Sequence, residues 1–259
     1  MKNTLHVFGD SFTESTKSLF TAGPHAKNST RLLYAKKYHN VDFYENWSTI
    51  MAKELNFNEK NYASTGGKNF EILGQGNSNE SIICNLNEYC HTFKPNDIVI
   101  IGFTDISRFQ WPNNNSPGAN SILPNQPLSN TEFSVEEQRM LRILSIKRHG
   151  HPFFKEQLEQ QMKVFEVLSE YIGFHLYYWS WANDNTKYKN NQRISSKKWI
   201  IPTMEFDDYI NLISKYGGST ITQETSGEIQ DDHMNKKSQS IHSKIFLEHI
   251  RDDIKSKKI

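Results

Sequence analysis

Long hydrophobic runs, cysteine and net charge are what this 259-residue chain has least of. No stretch approaches the roughly 18 uncharged apolar residues of a membrane span, so none is expected. The start, Met1-Lys2-Asn3-Thr4-Leu5-His6, carries no apolar leader core. No signal peptide is therefore visible, and a cytoplasmic location is the expectation. Cys84 and Cys90 fall on different faces of one helical pattern, which argues against a disulfide and for buried or half-buried thiols in a reducing compartment. A formal net charge of +1 offers neither a nucleic-acid stripe nor a membrane footprint. The closing lysines, Lys255, Lys257 and Lys258, read as a solvated tail.

What is present is enough chain for one large domain, read as residues 1–259. A mean hydropathy of -0.70 implies long polar loops or a very polar surface. Three apolar runs read as buried strands: Leu5–Phe8, Asp97–Phe103 and Phe174–Trp179, with a weaker one at Lys60–Ala63. Helical patterns lie between them. Trp47, Ile50, Met51 and Leu55 mark one. Ser78 can cap a second, carrying Ile82, Ile83, Leu86 and Tyr89. Phe154, Leu158, Met162, Phe165, Leu168 and Ile172 form a stripe of helical period with Gly173 as its stop, and a last helix is expected from about Lys236 to Lys255. Alternating strand and helix predicts a mostly parallel sheet covered on both faces, a three-layer α/β/α domain. Two segments break the alternation and read as long insertions: 13–46, and the Asn- and Pro-rich 110–131. The second follows the strongest strand and reads as a partial lid or substrate wall at that edge of the sheet, with a disordered insert as the alternative.

Gly9-Asp10-Ser11 ends the first strand. A serine at the carboxyl end of a parallel strand stands where open α/β sheets bind ligands, and is a candidate nucleophile if a base and an oxyanion site accompany it. His233, in Gln230-Asp231-Asp232-His233, is the candidate base. Either carboxylate can accept the imidazole Nδ1–H and leave Nε2 facing the serine; Asp231 is preferred, with Asp232 in reserve. Oxyanion donors are sought in backbone N–H groups near a helix start and in a side chain. Gly76 fits the first role, with Gly66 as an alternative, and Thr104 at the end of the strongest strand fits the second.

Gly-Asp-Ser-Phe at 9–12, a glycine in the next loop, Gly102-Phe103-Thr104-Asp105 after the third strand and Asp231-Asp232-His233 near the end resemble, in order, the four blocks of the SGNH (GDSL-type) hydrolases. The resemblance covers residues 5 to about 250. It implies a flavodoxin-like fold and a serine esterase acting without metal or cofactor. Ser11 would be nucleophile and first oxyanion donor, Gly76 and Thr104 further donors, and His233 the base. Three departures accompany it. Thr104 stands where asparagine is usual, Gln230 stands where the last block often has its aspartate, and the glycine block can be read at Gly66 or Gly76.

Other signals fail. Thr65-Gly66-Gly67-Lys68-Asn69 lacks the first glycine and the hydroxyl of a phosphate loop. His149 and His151 have no third ligand at a recognisable spacing. The expected function is cleavage of an ester, an O-acetyl or other short acyl group on a small molecule or glycan. Alternatives are an acyltransferase, or a catalytically silent ligand- or glycan-binding module on the same fold. No nucleic-acid or membrane partner is expected, and the oligomeric state is not legible.

Overall fold

The first strand, β1 (Thr4–Phe8), lies inside a four-stranded parallel sheet because every residue from Leu5 to Phe8 is buried. The structure is a computed structural model that describes residues 2–10, 12–21, 29–63, 78–104, 108–112, 119–122, 134–148, 152–180, 198–200 and 206–256. After β1 come α1 (Thr16–Thr21), α2 (Thr30–His39), α3 (Trp47–Leu55), β2 (Asn58–Asn61), α4 (Asn79–Tyr89) and β3 (Ile98–Phe103). The antiparallel pair β4 (Phe109–Pro112) and β5 (Ala119–Ile122) precedes α5 (Val135–Arg148), α6 (Pro152–Ile172) and β6 (His175–Ser180). The chain continues with α7 (Phe206–Lys215), α8 (Ile221–Glu224) and α9 (Lys236–Ser256).

Period-two alternation builds a core on each face of the sheet. Leu5, Val7, Ile98, Ile100, Tyr177 and Trp179 face one way, onto Trp47 and Met51 of α3, Tyr209 of α7 and Phe246 of α9. Phe8, Val99, Ile101, Phe103, Leu176 and Tyr178 face the other, onto Ile82 and Leu86 of α4 and Met162 and Phe165 of α6. Helices thus cover both faces, consistent with a three-layer α/β/α arrangement.

The strand order is β2-β1-β3-β6. The chain winds outward from β1 to β2, then crosses back to β3 on the other side of β1. Its crossover helices α3 and α4 lie on opposite faces. The winding therefore reverses between β1 and β3, and the crevice at their carboxyl ends is where such a sheet takes a ligand.

Most expected elements recur within one or two residues. The Ser78 hydroxyl caps α4 by accepting the Ser81 N–H at 3.3 Å, and Gly173 ends α6 at φ +88°. The differences have physical causes. The weak strand lies at 58–61 rather than 60–63, at a sheet edge where a polar strand carries no apolar pattern to fix its bounds. The described part of segment 13–46 contains two helices, and α2 buries an arginine on its inner face, which a hydrophobic stripe does not register. The described part of 110–131 includes the β4–β5 ribbon; its remainder lies outside the described residues. Cys84 and Cys90 are unpaired, and Cys84 is exposed rather than buried. Among the described residues no helix is long and apolar enough to cross a membrane, and no group of three or more His, Cys, Asp or Glu is set to hold a metal.

Candidate active site

The turn after β1 is built before any side chain acts. Asp10 is buried, and its carbonyl accepts the N–H groups of Thr13 and Glu14, both at 3.0 Å. Its carboxylate Oδ1 accepts the Phe12 N–H at 3.0 Å, and Arg108 brings Nη1 within 3.7 Å of Oδ2. The Thr13 carbonyl accepts amide hydrogens from Asn46 at 3.2 Å and from Asn61, the last residue of β2, at 2.9 Å. Gly9 and Gly102 are glycine for a steric reason. A Cβ on Gly9 would meet Thr13 Cβ at 2.7 Å, and one on Gly102 would meet Thr13 Oγ1 at 2.8 Å. Thr13 thus fills the gap between the ends of β1 and β3, and the turn folds down over the switch point.

The second component is the loop before α9. Its backbone is held by the first turn of α8, where the Ile221 and Thr222 N–H groups donate to the carbonyls of His233 and Asp231, both at 3.0 Å. The Asp231 N–H in turn donates to Thr222 Oγ1 at 2.7 Å. So held, Asp231 Oδ1 accepts the His233 backbone N–H at 2.9 Å and faces Nδ1 of the same residue at 2.5 Å. Oδ2 accepts the hydroxyl of Thr30, from the first turn of α2. Burial is the largest single influence on the Asp231 carboxyl and raises it, but its hydrogen-bond partners and the His233 charge together outweigh it. With the Thr30 hydroxyl and the His233 N–H, the ring brings the group down to about 2. An ionised carboxylate can only accept, so the imidazole proton sits on Nδ1 and Nε2 is left as an acceptor. His233 Nε2 is buried and has no hydrogen-bond partner among the described residues. Asp232 is exposed and among the described residues accepts from Thr222 Oγ1, at 3.3 Å, so the carboxylate that engages the histidine is that of Asp231.

The two components meet at Phe12, whose ring stacks on that of His233 with centroids 4.5 Å apart and planes 29° from parallel. The residue that follows Ser11 in the chain is therefore in contact with the candidate base. Ser11, Gly66 and Gly76 lie outside the described residues.

Thr104 is buried at the carboxyl end of β3. Its backbone is clamped on both sides by Asn79, the first residue of α4. The Thr104 N–H donates to Asn79 Oδ1 at 2.9 Å, and Asn79 Nδ2 donates to the Thr104 carbonyl at 3.0 Å. The N–H is thereby occupied, which leaves the hydroxyl as the group Thr104 can offer an oxyanion. Asn79 also borders a half-open cavity of about 320 Å³ between α4 and α6, lined by Glu80, Arg148, Phe154, Gln157 and Gln161 among others. Asp231 and His233 do not line it.

Sequence reasoning selects Asp231 and His233 but misses Asn79, Arg108, Thr30 and the stacking role of Phe12. Asn79 carried a signal, standing next to the expected cap Ser78; for Arg108 and Thr30 the sequence holds none. Compared with protein-family models, with curated proteins and with solved structures, the chain matches none.

Proposed function

We propose that this protein is a serine esterase of the SGNH type on a flavodoxin-like fold. The observation that carries the reading is the Asp231–His233 pair, its imidazole laid against Phe12 beside Ser11 in the chain. In the first half-reaction the Ser11 hydroxyl oxygen bonds to the ester carbonyl carbon as its proton passes to His233 Nε2. The carbonyl oxygen takes the negative charge, held by the backbone N–H groups of Ser11 and Gly76 and the Thr104 hydroxyl. The carbon–oxygen bond to the alcohol then breaks, and the alcohol leaves with the proton from Nε2. Water attacks the acyl-serine by the same route, giving the acid and restoring Ser11. A sugar hydroxyl in place of water would make the same site an acyltransferase.

The ester of this reading carries a short acyl group on a polar alcohol, in keeping with the Asn-rich composition of 110–131. A fluorophosphonate probe, which bonds to an activated serine, tests the reading. The wild-type protein is expected to be labelled, and Ser11→Ala and His233→Ala are not. A folded wild-type protein that resists the probe would instead be a binding module.

A further inference from the structure

We propose that Thr30 is a positioning residue for the acid–base pair: its hydroxyl fixes the rotation of the Asp231 carboxylate so that Oδ1 meets His233 Nδ1. The inference rests on reading Asp231 and His233 as the catalytic acid and base.

A carboxylate oriented by one imidazole alone can turn about its Cβ–Cγ bond. Here both oxygens are assigned. Oδ1 takes the two His233 donors, and Oδ2 takes the single hydrogen of Thr30 Oγ1. Thr30 is itself exposed, but the helix that carries it is tied down on two sides. Its neighbour Arg31 is buried and pairs with the buried Glu14 carboxylate at 3.0 Å. One turn on, the Tyr34 hydroxyl donates to Glu224 of α8 at 2.5 Å. The same helix is thus fixed to the turn after β1 on one side and to the element that holds the Asp231 loop on the other. A donor on so rigid a support defines an angle, whereas a donor on a mobile loop would follow the carboxylate. Segment 13–46, which interrupts the alternation of strand and helix, therefore contributes to the site directly.

The test replaces the hydroxyl and keeps the branch, with Thr30→Val, and restores the hydroxyl alone, with Thr30→Ser. The ¹⁵N shifts of the His233 ring, read by NMR on histidine-labelled protein, report which nitrogen carries the proton. The wild-type protein and Thr30→Ser are expected to hold it on Nδ1, and Thr30→Val to move toward the Nε2-protonated form. The rate of fluorophosphonate labelling is expected to fall roughly tenfold in Thr30→Val, as for a lost hydrogen bond to a charged group, and to recover in Thr30→Ser. An unchanged tautomer in Thr30→Val overturns the proposal, as does a change that Thr30→Ser does not reverse or a wild-type proton found on Nε2. Failure of the wild-type protein to take the probe strikes the esterase reading alone, and the tautomer comparison still decides the role of Thr30.

Discussion

The Phe12 and His233 rings lie 4.5 Å apart, one on the turn after the first strand and the other on the loop before the last helix. Phe12 is itself part of the core on that face of the sheet, so the candidate base rests on a wall that cannot move independently of the strands.

Phe12→Leu keeps most of the buried volume and removes the stacked face. An aromatic pair contributes about 1 kcal/mol beyond its buried area. The stability loss is expected to be of that size, and labelling by the probe to slow up to roughly tenfold as the imidazole gains freedom. Urea unfolding and labelling time courses measure the two. A labelling rate equal to that of wild type would mean that Phe12 only fills space.

Asn79→Ala removes the side-chain partner of both the N–H and the carbonyl of buried Thr104. Losing a partner costs a buried group about 1–3 kcal/mol, so a loss of about 2–6 kcal/mol is expected in urea unfolding. Asn79→Asp retains the acceptor for the Thr104 N–H but not the donor for its carbonyl, and should fall between the two. A loss below 1 kcal/mol in Asn79→Ala would show that the clamp is not a stabilising contact.

Acid should weaken the fold in two steps. His242 is enclosed by Trp47, Trp179 and Phe246, and burial holds its imidazole down to about 3 from an ordinary 6.5. Between those values the unfolded chain binds a proton that the folded one refuses, so stability declines as pH falls, by roughly 1 kcal/mol per pH unit. His6 is lowered in the same direction by burial, against the pull of Asp97. Asp231 acts lower still. With its carboxyl at about 2 against an ordinary 3.8, its contribution is lost as pH falls through that interval. Urea midpoints from pH 7 to pH 4 should decline steadily in the wild-type protein and less steeply in His242→Gln, whatever the absolute stability of the variant. Equal slopes would remove His242 as the source.

The elements legible in the sequence are those whose burial is continuous or periodic. β3 is apolar throughout because both of its faces are covered, and α6 shows its stripe because one side packs on the sheet. Asp97 marks where such reading stops. The apolar run places it inside the strand, yet it lies just before β3 and ties down the amino ends of the strands, accepting the Thr4 and Lys94 N–H groups at 2.7 and 3.0 Å. Within the site, Asp231 and His233 were legible because the pairing is local. Asn79 and Thr30 act across 25 and 201 residues of chain, a separation that only the fold closes.

Adjacent positions on α2 grip two different loops: Thr30 holds the one that carries Asp231, and Arg31 holds Glu14 in the turn after β1. Any displacement of that short helix carries both loops in the same direction. The spacing between the two loops is therefore referred to one helix. A lesion in α2 that leaves every reacting group intact would uncouple them.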